Sequence, residues 1–229
     1  MTVATETSEL VNVIAHMRPG GVYYEEAVPW EEYERLLESL SDQHSVRIYY
    51  DQGRLEIMAP SRMHEAPTGI ITRLMGVLSD ELQIDIEPLG MTTLKAEMKE
   101  QGAEPDASFY IQQARLIIGK DDLDLQHDPP PDVIIESDHT SSSLDKFAIY
   151  ASLGVPEIWR ISNRQVRIHL LETGRYSEST ASRAFPFLSA DTLNAFLEQG
   201  LRQGTSAAAR AFRDWLRALR QSDPAAFTG

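Results

Sequence analysis

The alternation of apolar and polar positions divides this chain into a series of short elements. From Pro29, the stretch PWEEYERLLESL sets Trp30, Tyr33, Leu36, Leu37 and Leu40 at helical spacing behind an acidic first turn, which predicts an amphipathic helix. VRIYY and RLEIMAP alternate on either side of the turn DQG and predict a β-hairpin. Residues 61–82 predict a long helix whose stripe runs through His64, Pro67, Ile71, Leu74 and Leu78. An extended stretch, IDIEPLGMTTLKAEM, then leads to the short strand DASFYI. Residues 112–131 read as an acidic loop ending in Pro129, Pro130 and Pro131, and the strand DVIIESD follows at once.

A helix over residues 142–153 stops at Gly154, a common C-terminal signal. PEIWRIS and QVRIHLLE predict two strands about a turn at Asn163, with GRYSES as a third. Residues 190–201 predict a helix. The last one, SAAARAFRDWLRALRQ, carries Phe212, Trp215, Leu216 and Leu219 on one side and arginines around the other. This order predicts an α/β fold with one central mixed sheet flanked by helices. Residues 1–28 are polar and weakly patterned, and predict a mobile or loosely docked arm. Residues 29–203 would form the domain, and 204–229 a C-terminal amphipathic helix and tail.

A length of 229 residues at 42% hydrophobic content suits one well-packed domain. There is no apolar run of about 18 residues to span a bilayer, and the start lacks the pattern of a secretory signal. With no cysteine there is no disulfide framework and no thiolate metal site. These features predict a cytoplasmic protein without a membrane partner. The net charge of −14 opposes tight nonspecific binding to nucleic acid, which draws its affinity from Lys and Arg on phosphates. A local basic groove or a bound metal would offset it.

The candidate chemistry gathers around two acids and a lysine. Asp106 opens a strand after Glu104 and Pro105. Glu136 ends a strand whose centre, VII, is apolar on both faces, so its carboxylate should point into a cleft. Asp138, two residues on, shares its face by strand periodicity. Carboxylates converging from two strands supply hard oxygen ligands for Mg²⁺ or Mn²⁺. Lys146 shares a helical stripe with Ile149, Tyr150 and Leu153, which must face the sheet, so the ammonium has to snorkel or be paired. Beside a metal it would activate a water and offset charge on a phosphoryl group. The simpler alternative is a structural ion pair of Lys146 with Asp145 or Glu136.

The segments GRLEIMAPSRMHEAPTGIITRL, EPDASFYI and PPPDVIIESDHTSSSLDKFAIYASLGVPEIWRI, in this order, resemble the bacterial Uma-type restriction endonuclease family of the PD-(D/E)XK nuclease superfamily. The resemblance covers roughly residues 29–200. It implies a restriction-endonuclease-like core, a DNA substrate, and Asp106 and Glu136 as the metal-binding acids. It also points to Lys146 as a catalytic lysine moved onto the following helix, because Asp138 stands where the superfamily usually has lysine. An acidic residue on the first core helix often joins such sites, which makes Glu65 a candidate and Glu56 a weaker one. A two-fold homodimer suits an enzyme that cuts both strands.

His64 lies on the buried stripe of its helix and reads either as a core histidine or as a supporting site residue. Nothing marks His16, His44, His127 or His139 as ligands. Ser141, Ser142 and Ser143 read first as a helix N-cap region, with a phosphate contact as the alternative. The arginines of the last helix read as a solvated face rather than a DNA reader.

Overall fold

A computed structural model describes residues 7–40, 46–90, 92–120, 122–137 and 144–227, without the side chains of residues 62–64. Helix α1 (Thr7–His16) and strand β1 (Val22–Glu25) come first, followed by α2 (Trp30–Ser39) and the hairpin β2 (Arg47–Asp51) and β3 (Arg54–Met58). The long helix α3 (Arg62–Leu82) leads to three short strands, β4 (Glu87–Pro88), β5 (Leu94–Ala96) and β6 (Gln101–Ala103). Strand β7 (Ala107–Tyr110) is followed by the single turn α4 (Ala114–Ile117), then β8 (Val133–Ser137) and α5 (Lys146–Leu153). A meander of β9 (Glu157–Ser162), β10 (Gln165–Glu172) and β11 (Arg175–Ser179) precedes α6 (Ala190–Gln203) and α7 (Thr205–Ser222).

These strands build two sheets rather than the one that the pattern predicts. The mixed sheet has the order β11-β10-β9-β8-β7-β4, and its one parallel pair is β8 with β9, joined by the crossover helix α5. The second sheet, β1-β3-β2-β6-β5, is antiparallel throughout. The predicted hairpin is its centre: β2 and β3 bury both faces, Ile48, Tyr50, Leu55 and Ile57 against α1 and α2, and Tyr49 and Met58 toward α5. Three tight turns, Gln52–Gly53, Asn163–Arg164 and Thr173–Gly174, hold two successive residues at positive φ, the geometry that matches strand twist in a two-residue hairpin.

Residues 7–28 are docked in helix and strand rather than forming the mobile or loosely docked arm that the pattern predicts. Strand β1 pairs with β3 from Val22↔Met58 to Glu25↔Leu55, and Leu10 of α1 is completely buried. Leu10, Ile14 and Met17 stand at helical spacing, and with Val11, Tyr23 and Val28 they dock the segment on α2 and the second sheet.

The mixed sheet has distinct faces. Ala107, Phe109, Val133, Ile135, Trp159 and Ile161 pack on α3, α6 and α7, and each large side chain buried there stabilises by roughly 1.5–3 kcal/mol. On the other face Ile134 and Ile158 meet α5 through Ile149, Tyr150 and Leu153, together with Tyr49, Leu94 and Ala103 of the second sheet. The C-terminal helix is clamped to α3 by its arginines. Arg217 grips Glu81 with two hydrogen bonds of 2.8 and 2.9 Å, Arg213 adds 2.9 Å to Glu81 and 3.0 Å to Asp80, and Arg220 reaches the Glu81 carbonyl. Hydrogen bonds from Arg217 hold the Glu81 carboxyl below the usual carboxylate range. These arginines therefore dock a helix instead of facing solvent alone, at an α3 C-terminus that favours cations.

Candidate active site

Asp106 lies where the chain passes from the second sheet to the mixed one, between β6 and β7. Glu104 anchors that crossing: fully buried, it accepts from the Ile48 amide at 2.9 Å and from the Thr93 hydroxyl at 2.8 Å. One step beyond the paired register that sets Ala107 against Ile135, Asp106 comes opposite Glu136. The two acids thus share a face of neighbouring strands, as expected. The Ser137 amide donates to Asp106 Oδ2 at 2.7 Å, which ties the aspartate to the end of β8.

Glu136 is 2% exposed, and Tyr150 donates its hydroxyl to Oε1 while Lys146 Nζ lies 3.5 Å from Oε2. Lys146 and Tyr150 stand one turn apart on α5, so one stripe presents both to the carboxylate. The helix begins at Lys146, later than predicted, with Asp145 as its N-cap accepting from the Ala148 amide. The serine cap expected at Ser141–Ser143 falls outside the described residues, as does Asp138. The side chain of His64 also lies outside them. Of the two ion pairs the sequence allows for Lys146, the structure has the one with Glu136.

Three site residues escape the sequence reading. Arg47, at the start of β2, has a side chain only 3% exposed, with Nε 3.4 Å from Asp106 Oδ1 and Nη2 3.3 Å from Glu65 Oε1. Tyr49, two residues on and so on the same face, lays its ring 3.7 Å from Lys146 Nζ, a cation–π contact in a desolvated setting. Tyr150 is legible only as part of an apolar stripe. Burial first, then the charge of Glu136, pushes the phenols of Tyr49 and Tyr150 well above their ordinary value, so both stay protonated. The alternation within VRIYY puts Arg47 and Tyr49 on one side, but says nothing of what that side meets.

Glu65 reaches the site through Arg47 and is half exposed, at its rim. Glu56 is buried and does a different job: its Oε2 accepts from the Leu144 amide at 3.3 Å, holding the entry to α5. His127 is an exposed partner of Asp124, away from the acids. Among the described residues no cluster of three or more His, Asp and Glu side chains is arranged to hold a metal.

The fold that carries Asp106 and Glu136 is shared with a solved structure. The crystal structure of "a putative nuclease belonging to DUF820" from Anabaena variabilis superposes with a TM-score of 0.50 at 15% identity, covering 74% of this chain and 99% of the other. Residues 30–203 match the model of the Uma2 family, described as "Putative restriction endonuclease", and the chain belongs to that family. No curated protein matches the sequence, and no helix among the described residues is long and apolar enough to cross a membrane.

Proposed function

We propose that this chain is a metal-dependent endonuclease that hydrolyses DNA phosphodiester bonds at Asp106, Glu136 and Lys146. The observation that carries the reading is the ammonium of Lys146 at 3.5 Å from a buried Glu136, which itself stands opposite Asp106. The donor set fits Mg²⁺ or Mn²⁺, since carboxylate oxygens from two adjacent strands leave waters to complete an octahedron. Such an ion supplies Lewis-acid stabilisation and lowers the pKa of a bound water.

The chain's own residues account for the rest. Ser137 and Arg47 fix the Asp106 carboxylate, and Tyr150 fixes that of Glu136. Lys146 offers its ammonium on the first turn of α5, where it would orient the attacking water and offset charge building on the phosphoryl group. Tyr49 covers the ammonium from below and keeps bulk water off it. A two-fold homodimer in the cytoplasm belongs to this reading, because both strands must be reached.

The test incubates pure protein with plasmid and Mg²⁺ or Mn²⁺. Wild type should nick or linearise the plasmid, and Asp106→Ala should lower the rate by about 10²-fold or more. Equal plasmid integrity with wild type and Asp106→Ala removes the reading.

A second reading, a nuclease-fold module that binds without cutting, has an observation of its own. Arg47 and Lys146 already offset the charges of Asp106 and Glu136, and Asp138 stands at the usual lysine position. Calorimetry with Mn²⁺ separates the two: binding abolished by Glu136→Ala supports the enzyme, and no binding, or binding unchanged by Glu136→Ala, supports the module.

A further inference from the structure

The sheet that holds the acids continues past them into a basic row. In the parallel pair of β8 and β9, Glu136 is set against Arg160. In the antiparallel pair of β9 and β10, Arg160 is set against Arg167. Register partners share a face, so Asp106, Glu136, Arg160 and Arg167 follow one another straight across four neighbouring strands, on the face toward α5. At about 4.8 Å per strand, the arginine backbones lie roughly 5 and 10 Å beyond that of Glu136.

The two arginines differ in how far they are exposed. Arg160 rests its guanidinium 5.5 Å from the ring centroid of Phe147 and remains half-buried. Phe147 directly follows Lys146, so the first turn of α5 turns its lysine toward Glu136 and its ring toward Arg160. Arg167 is more than half exposed and meets Glu178, itself more than half exposed, at 3.8 Å, a contact of little worth at a wet surface.

We propose that Arg160 and Arg167 form a phosphate track, which holds the DNA backbone next to the bond cut between Asp106, Glu136 and Lys146. This inference rests on the nuclease reading above and adds to it the residues that seat the substrate strand. Guanidinium groups suit the task because their planar forks match phosphate oxygens. The track also answers the charge problem. A chain of net charge −14 repels DNA in general, while a local basic row admits a strand at one place and in one direction.

The experiment measures binding of the full-length chain to a fluorescent duplex oligonucleotide in Ca²⁺, across a series of KCl concentrations. The Arg160→Ala/Arg167→Ala double variant should bind about 10-fold or more weakly at low salt, and its log–log salt slope should flatten by about two units. Arg160→Lys/Arg167→Lys should keep most of the slope, and it separates charge from damage to the fold. Arg202→Ala, on α6 and paired with Glu198, removes a charge on the other side of the sheet and should change neither quantity. The track is overturned if the double alanine variant binds as wild type does, or if Arg202→Ala weakens binding equally. With plasmid cleavage intact, either result overturns the track alone. A wild type that neither binds nor cuts DNA overturns the nuclease reading and the track together.

Discussion

Tyr150 donates its hydroxyl to Glu136, fourteen positions earlier, and both groups are buried. The bond joins the crossover helix to the strand it follows, and fixes the carboxylate oxygen that Lys146 does not face. Removing the hydroxyl would leave a buried acid one donor short, at a cost of about 1–3 kcal/mol. Tyr150→Phe is therefore expected to lower stability by that amount in urea unfolding. It should also weaken Mn²⁺ binding less than Glu136→Ala does. An unchanged unfolding midpoint would show that the bond carries no stability.

Arg47 is the residue through which the second sheet reaches the acids. Its guanidinium is buried between Asp106 and Glu65, and truncation would take that cation away from Asp106. Arg47→Leu is expected to destabilise the fold by about 3–5 kcal/mol. Thermal unfolding of Arg47→Leu and of Glu65→Gln tests this. The glutamine variant, changed at the half-exposed rim, should lose far less.

Gly102 of β6 is a residue whose size is set by a neighbour. A Cβ there would lie 2.1 Å from the Tyr33 hydroxyl oxygen and 2.8 Å from its Cζ, with the ring stacked on Tyr50 at 4.7 Å. The tyrosine cannot swing away without breaking that stack. Gly102→Ala is expected to cost about 1–3 kcal/mol by overpacking, measured as a lowered urea midpoint. Gly102→Ala with Tyr33→Phe should recover part of the loss.

High pH should unfold the protein through its buried phenols. Burial raises the values of Tyr33, Tyr49 and Tyr150 well above the ordinary 10.0. The folded chain thus keeps protons that the unfolded chain releases. The stability they contribute is fully present below pH 10, and is lost as pH rises above it toward the folded values. Unfolding midpoints followed from pH 8 to 11.5 should hold steady and then fall. A Tyr49→Phe variant should fall less steeply, and parallel curves would contradict the assignment.

Much of this was legible because it is local. Glu136 ends an apolar run, and Lys146 sits on a stripe one turn from Tyr150, so a strand and a helix bring them together without further information. Arg47 and Tyr49 belong to a hairpin that the alternation found, yet no period states which element lies across from a strand. That pairing is decided by non-local burial, here β2 beside β6 and above α5. The same reason hid the second sheet. Before residue 29, Leu10, Ile14 and Met17 form a stripe of only two turns, too short to tell a docked helix from a loose one without knowing what it packs on. The α7 arginines looked solvated because their acidic partners sit on α3, far away in sequence.

Strand β8 is apolar toward both of its neighbours, with Ile134 on one side and Val133 and Ile135 on the other. A slip of one residue would therefore exchange greasy side chains for greasy side chains, and packing alone would barely object. It would nevertheless turn Glu136 away from Lys146 and into the apolar layer of α3. The strand is fastened at both ends against this. Asp132 accepts from the Ile111 amide at 2.6 Å and the Gln113 amide at 3.3 Å, and Asp106 accepts from the Ser137 amide. Asp106 is thus also a ratchet stop: the side chain proposed to hold the metal is one of two that decide which way its partner points.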